Sequence, residues 1–458
     1  MKKRFISVLL TLALAAGLTA CGGSGNSGSG NSGAGETKGS AGTSSESTEK
    51  MTDTKDSQEA ESSSVQESEA PEKGSDQPFA GETVTVYTRN VDMEGWQPFV
   101  DLVKEKTGII VEGVVAPTNY PDVVTKLSSI LTAGDDSFDI VHVDELLGVT
   151  YSTAGYLEPI NEIIEAEKEN YPADVLERIC KSADGNYYLL PQELNAMYLF
   201  INKEVFDKAG AKIPTNTDEF LEAAKAMTNE ESYGYGAAWS KGGQLYNDLI
   251  RWMYCFEGDI YDWTKPESKE ALQFMYDMLY KDKVVSEAAL GDSYDAMNQK
   301  IIDNKYGMVF QWAYLADVCG DKWGDNIQIE PMPVFKTNHT IVAGWHMAIN
   351  KNSKKVDAAK EVLKVWASEE GQMCNLQMEG SSHAKVMAKP EAKEVNRAGQ
   401  ALEEYSAAGS LVPRPMPATV NELMEVAETY AQSYLTNQMS LDECVEKATA
   451  EIQALVEE

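Results

Sequence analysis

From Phe79 onward the apolar positions of this chain fall into two alternating rhythms. Val84-Thr85-Val86-Tyr87 alternates with period two, which predicts a strand. Trp96 to Lys106 carries a helical rhythm that Thr107-Gly108 ends, and Ile109-Ile110-Val111 predicts the next strand. Asp122 to Leu131 predicts a helix, with Val123, Val124, Leu127, Ile130 and Leu131 on one face. Phe138 to Val143 is an apolar run of strand length. Later, Thr217 is placed to cap a helix whose Phe220, Leu221, Ala224 and Met227 recur at helical spacing. Val356, Ala359, Val362, Leu363 and Trp366 repeat that pattern. Beyond the prolines Pro413, Pro415 and Pro417 the chain reads as helical to its end. Strand–helix alternation without an internal repeat predicts α/β domains with mainly parallel sheets. The stretch past residue 79 is long enough for two such domains with ordinary cores.

Before Phe79 the rhythm is absent. Lys2, Lys3 and Arg4 precede an apolar run from Phe5 to Leu14, and small residues lead to Cys21. That layout predicts a secretory signal over residues 1–20, too short to span a bilayer as a mature helix. Leu18-Thr19-Ala20-Cys21 resembles the bacterial lipobox, which implies that Cys21 is lipid-modified and becomes the new N-terminus. From Cys21 to residue 78 the chain is mostly Gly, Ser, Thr, Glu and Lys. It buries too little apolar surface to offset its ordering entropy and predicts a disordered linker. As a coil it would span about 40 Å. The expected location is the extracellular face of the cytoplasmic membrane, anchored through Cys21; stable anchoring takes more than one acyl chain.

Charge narrows the partners. The net charge is −34, and removing the +3 of the first four residues and the −7 of residues 22–78 leaves −30 on the body. Such a surface repels nucleic acid and anionic headgroups, which excludes DNA and RNA as partners. The five further cysteines, Cys180, Cys255, Cys319, Cys374 and Cys444, are widely spaced without a C-x-x-C pair. They read as small buried hydrophobes rather than a disulfide framework. The methionines, among them Met253, Met275, Met278 and Met297, read as core fillers. His142, His339, His346 and His383 lack metal-ligand spacing, so neither metal nor cofactor is expected. No Gly-x-Ser-x-Gly, P-loop or H-E-x-x-H motif suggests catalysis. With so many acids, chance carboxylate pairs carry little weight for a glycoside hydrolase.

The order of segments carries a resemblance. Phe138-Asp-Ile-Val-His-Val-Asp144, Ala154-Gly-Tyr-Leu-Glu-Pro-Ile160 and Asp184-Gly-Asn-Tyr-Tyr-Leu-Leu-Pro191 come first. Tyr198-Leu-Phe-Ile-Asn-Lys-Glu-Val-Phe-Asp-Lys-Ala-Gly210 and Ile213-Pro-Thr-Asn-Thr-Asp-Glu-Phe220 follow. Gly344-Trp-His-Met-Ala-Ile-Asn-Lys-Asn-Ser353 and Ala367-Ser-Glu-Glu-Gly-Gln372 close the series. From Val84 to the C-terminus this is similar to the extracellular solute-binding proteins of ABC importers, in the branch resembling maltose- and trehalose-binding receptors. The resemblance implies an α/β, two-lobe, periplasmic-binding-protein-like (class II) fold with hinge crossovers and a ligand cleft between the lobes. By analogy one lobe holds 79–194 and 341–388, the other 195–340 and 389–458. It also implies a non-catalytic monomer that binds a sugar and hands it to membrane permease subunits. The alternatives are a polyamine, peptide or organic acid on the same scaffold, or a surface glycoside hydrolase.

A sugar offers an apolar C–H face and a rim of hydroxyls, so its site needs aromatic planes and short polar groups. Trp312 ends the apolar run Gly307-Met-Val-Phe-Gln-Trp312 and matches the family position whose ring stacks on sugar. Gly344 and Trp345 match a family Gly-Gly-Trp segment facing ligand, and His346 follows them. Asp144 lies at a strand's C-terminal end, where open α/β sheets place ligand groups; Glu145 beside it is expected to be a solvated charge. Asn195 stands where many relatives carry an acid, and its amide would bond hydroxyls without charge assistance. Arg414 matches a cleft-facing segment, its planar fork suiting paired oxygens. Arg89, Asn90 and Glu94 after the first strand, Tyr120, and Trp239 in an aromatic loop complete the candidates.

Overall fold

A computed structural model describes residues 77–117, 120–395 and 398–456. The signal, Cys21 and nearly all of the linker lie outside the described residues. Among the described residues the strands are β1 (Thr83–Thr88), β2 (Ile110–Val115), β3 (Ile140–Asp144), β4 (Leu157–Glu158), β5 (Leu190–Pro191), β6 (Asn195–Asn202), β7 (Tyr233–Gly236), β8 (Tyr306–Trp312), β9 (Ile327–Glu330), β10 (Thr340–Ala343), β11 (Trp345–Asn350) and β12 (Leu411–Pro413).

They form two sheets, each backed by its own core. The first runs β2-β1-β3-β11-β4, with β5 also on β11; the second runs β12-β10-β6-β8-β7, with β9 also on β6. In the first sheet β1 lies parallel to β2 and β3, as strand–helix–strand crossovers require. The expectation of mainly parallel sheets is corrected elsewhere. β11 runs antiparallel to β3, β4 and β5, and β6 runs antiparallel to β8, β9 and β10. The pairs β7–β8 and β10–β12 are parallel, and the antiparallel pairs all involve β6 or β11, the two strands that open directly after a short crossover from the opposite sheet. No helix separates β5 from β6 or β10 from β11.

These arrivals are short. Residues 192–194 join β5 to β6, and Gly344 alone joins β10 to β11. The two crossovers lie against each other: the amides of Gln192 and Glu193 donate to the Trp345 carbonyl at 3.0 and 3.4 Å. A Cβ on Gly344 would sit 2.3 Å from the Glu193 carbonyl oxygen, so only glycine permits this approach.

The helices follow their sequence rhythm. Trp96–Thr107 buries Trp96, Phe99 and Val103 and stops at Gly108, whose φ of 72° lies in the left-handed region. Phe99 packs on Trp366 of the helix Val356–Ala367 with ring centroids 4.3 Å apart. Tyr120–Ala133 buries Val123, Leu127, Ile130 and Leu131, while Val124 is only half-buried. The cap of Thr217–Met227 differs from expectation. It is Asn216, in extended geometry, whose side chain accepts from the Glu219 amide, and Thr217 is already inside the helix. The closing helices Val420–Leu435 and Leu441–Val456 bury Leu423, Ala427, Val445 and Ile452 in the core of the second sheet. Cys180, Cys255, Cys319 and Cys444 are buried and Cys374 is half-buried, and the four methionines named above are core. The molecule is a two-lobed α/β protein with one core behind each sheet.

Candidate functional site

Where the crossovers meet, side chains from both sheets converge on Arg414. This arginine follows β12 and is fixed between Pro413 and Pro415, which hold its backbone extended. Each of its three nitrogens donates, which uses three of its five N–H groups. Nε donates to Glu145 Oε1 at 2.8 Å, Nη2 to Asp144 Oδ2 at 2.9 Å, and Nη1 to Asn247 Oδ1 at 3.0 Å. Asp144 ends β3 and caps the helix Glu145–Thr153 by accepting from the Leu146 amide at 2.8 Å. One guanidinium therefore ties the first sheet to the second.

Glu145 is not the solvated charge expected from its position. It is wholly buried, with Oε2 accepting from the Gly344 amide at 3.2 Å. With Asp144 as the cap, Glu145 is the first residue of the helix, and its side chain reaches the crossover at Gly344. Burial pushes its carboxyl up to about 7, against the opposing pull of Arg414. Burial also works to lower Arg414, yet Asp144 and Glu145 outweigh it and raise the guanidinium further.

Trp312, half-buried at the end of β8, belongs to the same network. Its Nε1 donates to the Tyr294 hydroxyl at 3.3 Å, which also accepts from Asn247 Nδ2 at 3.3 Å. The Arg414 guanidinium lies 5.7 Å from its ring centre. Asn195 opens β6 and uses its carbonyl oxygen to hold the amides of Ala196 and Ala313, at 2.8 and 3.1 Å.

On the first-sheet side Trp345 pairs across the ladder with Asp144. Its ring is covered: the Arg89 guanidinium lies 4.1 Å over it, a cation–π contact. Tyr120 meets its edge at 6.5 Å and donates its hydroxyl to Asp144 Oδ1 at 3.3 Å. Arg89 is pinned by an ion pair with Glu379 and by Glu193 Oε1, 3.5 Å from Nη2. Burial would lower Arg89, but Glu379, Glu193 and Asp144 together raise it. Burial and the neighbouring Glu379 push Glu193 up to about 8.

The remaining candidates separate. Asn90 is wholly buried beside Arg89, and His346 is buried in β11, where burial pushes it down to about 4. Glu94 is exposed and away from these contacts. Trp239 is corrected outright: it is fully buried in the second core, with Nε1 donating to Asp248 Oδ2 at 2.6 Å. Its aromatic loop was a core signal. Sequence reasoning missed Glu193 and Glu379. Glu193 stands two residues from Asn195, a proximity that could have flagged it; Glu379 meets Arg89 across 290 positions and leaves no local signal.

A separate cavity of about 750 Å³ opens beyond Arg414, lined by Arg178, Tyr254, Asp259, Tyr261 and Pro415 among others. It shares Arg414 with the cluster but reaches neither Trp312 nor Trp345. Among the described residues no group of acids, cysteines or histidines is placed to hold a metal ion, and no helix is long and apolar enough to cross a membrane.

Comparison with known proteins agrees on the family and the fold, while the solutes named for the relatives differ. A family model described as bacterial extracellular solute-binding protein matches residues 88–373. A probable amino-acid ABC transporter periplasmic-binding protein of Sinorhizobium fredii is 25% identical over 304 residues, 62% of this chain and 68% of that one. The erythritol/L-threitol-binding protein of Mycolicibacterium smegmatis is 25% identical over 348 residues, 67% of this chain and 70% of its own. Among solved structures, maltose-bound MalE3 of T. maritima superimposes with a TM-score of 0.72 at 21% identity, covering 81% of this chain and 99% of that one. An ABC transporter solute-binding protein of Thermotoga lettingae, bound with α-D-tagatose, gives 0.70 at 21% identity, covering 82% and 100%.

Proposed function

The chain belongs to the bacterial extracellular solute-binding protein family, and from that premise we propose that it is the sugar-binding receptor of an ABC importer. In this reading Cys21 anchors it to the outer face of the cytoplasmic membrane, and the linker lets it reach a permease that takes up the delivered sugar. The observation that carries the reading is the Arg414 fork. It gathers Asp144 and Glu145 from one sheet, and Asn247 and the Trp312–Tyr294 pair from the other, into one polar and aromatic junction. A solute held there touches both lobes at once. Such contacts exist only when the lobes are closed, so binding favours closure by the differential affinity they provide.

Within the site Trp312 supplies the stacking plane. An indole losing roughly 100 Å² against a sugar face contributes about 2.5 kcal/mol. Asp144, Arg414, Tyr120 and Asn195 supply the hydrogen bonds that orient hydroxyls. Trp345 acts with Arg89 as one stacked unit, presenting guanidinium donors rather than a bare ring. Gly344, Asn90 and His346 shape the floor behind them. Nothing in the proposal requires turnover.

A ligand-panel thermal-shift screen of mono-, di- and oligosaccharides and polyols, with chromatography of the recovered ligand, tests the reading. Binding raises the unfolding midpoint by mass action. We expect at least one sugar to raise it and to be recovered unchanged. Stabilisation by peptides or organic acids and by no sugar would contradict the substrate class, and a hydrolysed sugar would contradict the receptor role.

A further inference from the structure

The acids at this junction outnumber the cations. Arg89 and Arg414 face Asp144, Glu145, Glu193 and Glu379, all buried or nearly so. Arg414 is fully matched by Asp144 and Glu145. Arg89 commits to Glu379, and its Nη2 stands 3.5 Å from Glu193, beyond a normal hydrogen bond. Glu193 Oε1 has no hydrogen-bond partner among the described residues, although the side chain is only 5% exposed.

A second observation on the same crossover points the same way. Gln192 is wholly buried and donates Nε2 to Glu379 Oε2 at 3.2 Å, which leaves its Oε1 without a partner among the described residues. Flipping that amide would set its oxygen against a carboxylate, so the orientation is chemically fixed. Two consecutive residues thus each present an unmatched acceptor. Asn90, with both amide ends unmatched, and His346, with both ring nitrogens unmatched, bring donors and acceptors together but no charge, so neither supplies the missing cation. His142 is the other basic group nearby, its Nε2 3.6 Å from Glu379 Oε2. Burial and the charge of Arg89 keep it neutral.

A hydroxyl brings a donor and acceptors together. An ammonium brings three donors, no acceptor and one positive charge. We propose that the solute carries a protonated amine, seated on Glu193 and the Gln192 side-chain oxygen, as in a sugar with an amino group in place of one hydroxyl. The inference rests on the receptor reading above and narrows its substrate class. On binding, Arg89 stays with Glu379, while Glu193, which burial holds protonated near pH 7 in the empty site, releases its proton to solvent and takes the ammonium, so each carboxylate gains its own cation.

Calorimetric and thermal-shift titrations of the purified protein at pH 7 test this, with hexosamines against their parent hexoses, and with putrescine and spermidine. A hexosamine is expected to bind at least tenfold more tightly than its parent hexose, and Glu193→Gln to bring that ratio close to one. Stabilisation by putrescine or spermidine but by no hexosamine keeps the bound cation and assigns it to a non-sugar amine, which overturns the amino-sugar form. A parent hexose that binds the wild type as tightly as its hexosamine overturns the inference and leaves the receptor reading intact. No response to any sugar or amine would count against both. Because the wild-type ratio decides by itself, a Glu193→Gln variant that fails to fold does not rescue the inference.

Discussion

At the scale of single residues, Arg414 carries the largest structural load of any candidate. Removing it leaves Asp144 and Glu145 buried beside each other without a cation, and breaking one partner of a buried pair costs about 3–5 kcal/mol. Urea denaturation of Arg414→Ala should register a loss of that size, whereas an exposed arginine would register almost none. Trp312 is different in kind, since it is half-buried and makes one hydrogen bond through its indole. Trp312→Ala should cost little stability and weaken sugar binding about fiftyfold, the equivalent of one lost stacking face. The sequence made these residues visible because each ends or begins a strand within a recognisable segment. It hid Glu193 and Glu379, whose roles depend on Arg89 arriving from far away in the chain. It misread Trp239 and Glu145 because aromatic content and acidity are local properties, while burial is not.

At the scale of elements, the two crossovers decide most of the behaviour. Gly344→Ala forces a Cβ against the Glu193 carbonyl, and overpacking of this kind costs roughly 1–3 kcal/mol; a denaturant series on that variant checks it. Proton binding at the crossover has a definite sign. Burial raises Glu193 to about 8 and Glu145 to about 7, so the folded protein keeps protons there that the unfolded chain has already lost. That stability is fully present at low pH and is lost as pH rises through the folded values. His142 and His346, both lowered by burial, act oppositely but only below their ordinary range near 6.5. Between pH 6.5 and 8.5 the carboxyls dominate. Stability should fall by about 2 kcal/mol across that window, and Glu193→Gln should flatten most of the slope. Element order, helix faces and the Gly108 stop were readable from period and punctuation. Strand direction was not, since β6 and β11 gain their antiparallel pairing from the long-range path between sheets.

At the scale of the whole molecule, two cores are joined by two crossovers of one and three residues, by a longer passage that leaves the first core after Met378 and packs as a small cluster around Leu376, Val386 and Ala392, and by one buried ion-pair fork. A further bond, Asn421 Nδ2 to Thr150 Oγ1 at 3.0 Å, links the closing helices to the helix after β3. Crossovers of one and three residues beside a polar fork between the lobes suit a protein that opens and closes. The two-lobed plan was legible because segments in a characteristic order carried it. What the site holds was not, since charge balance emerges only when both lobes meet. The central claim is that a solute binds at the Arg414–Trp312 junction and leaves unaltered. Isothermal titration of the tightest sugar from the panel into wild type and Trp312→Ala tests it most directly. One site per chain, a chemically unchanged ligand and an affinity about fiftyfold lower in the variant are expected. Equal affinity in the two proteins would place the solute elsewhere and contradict the account.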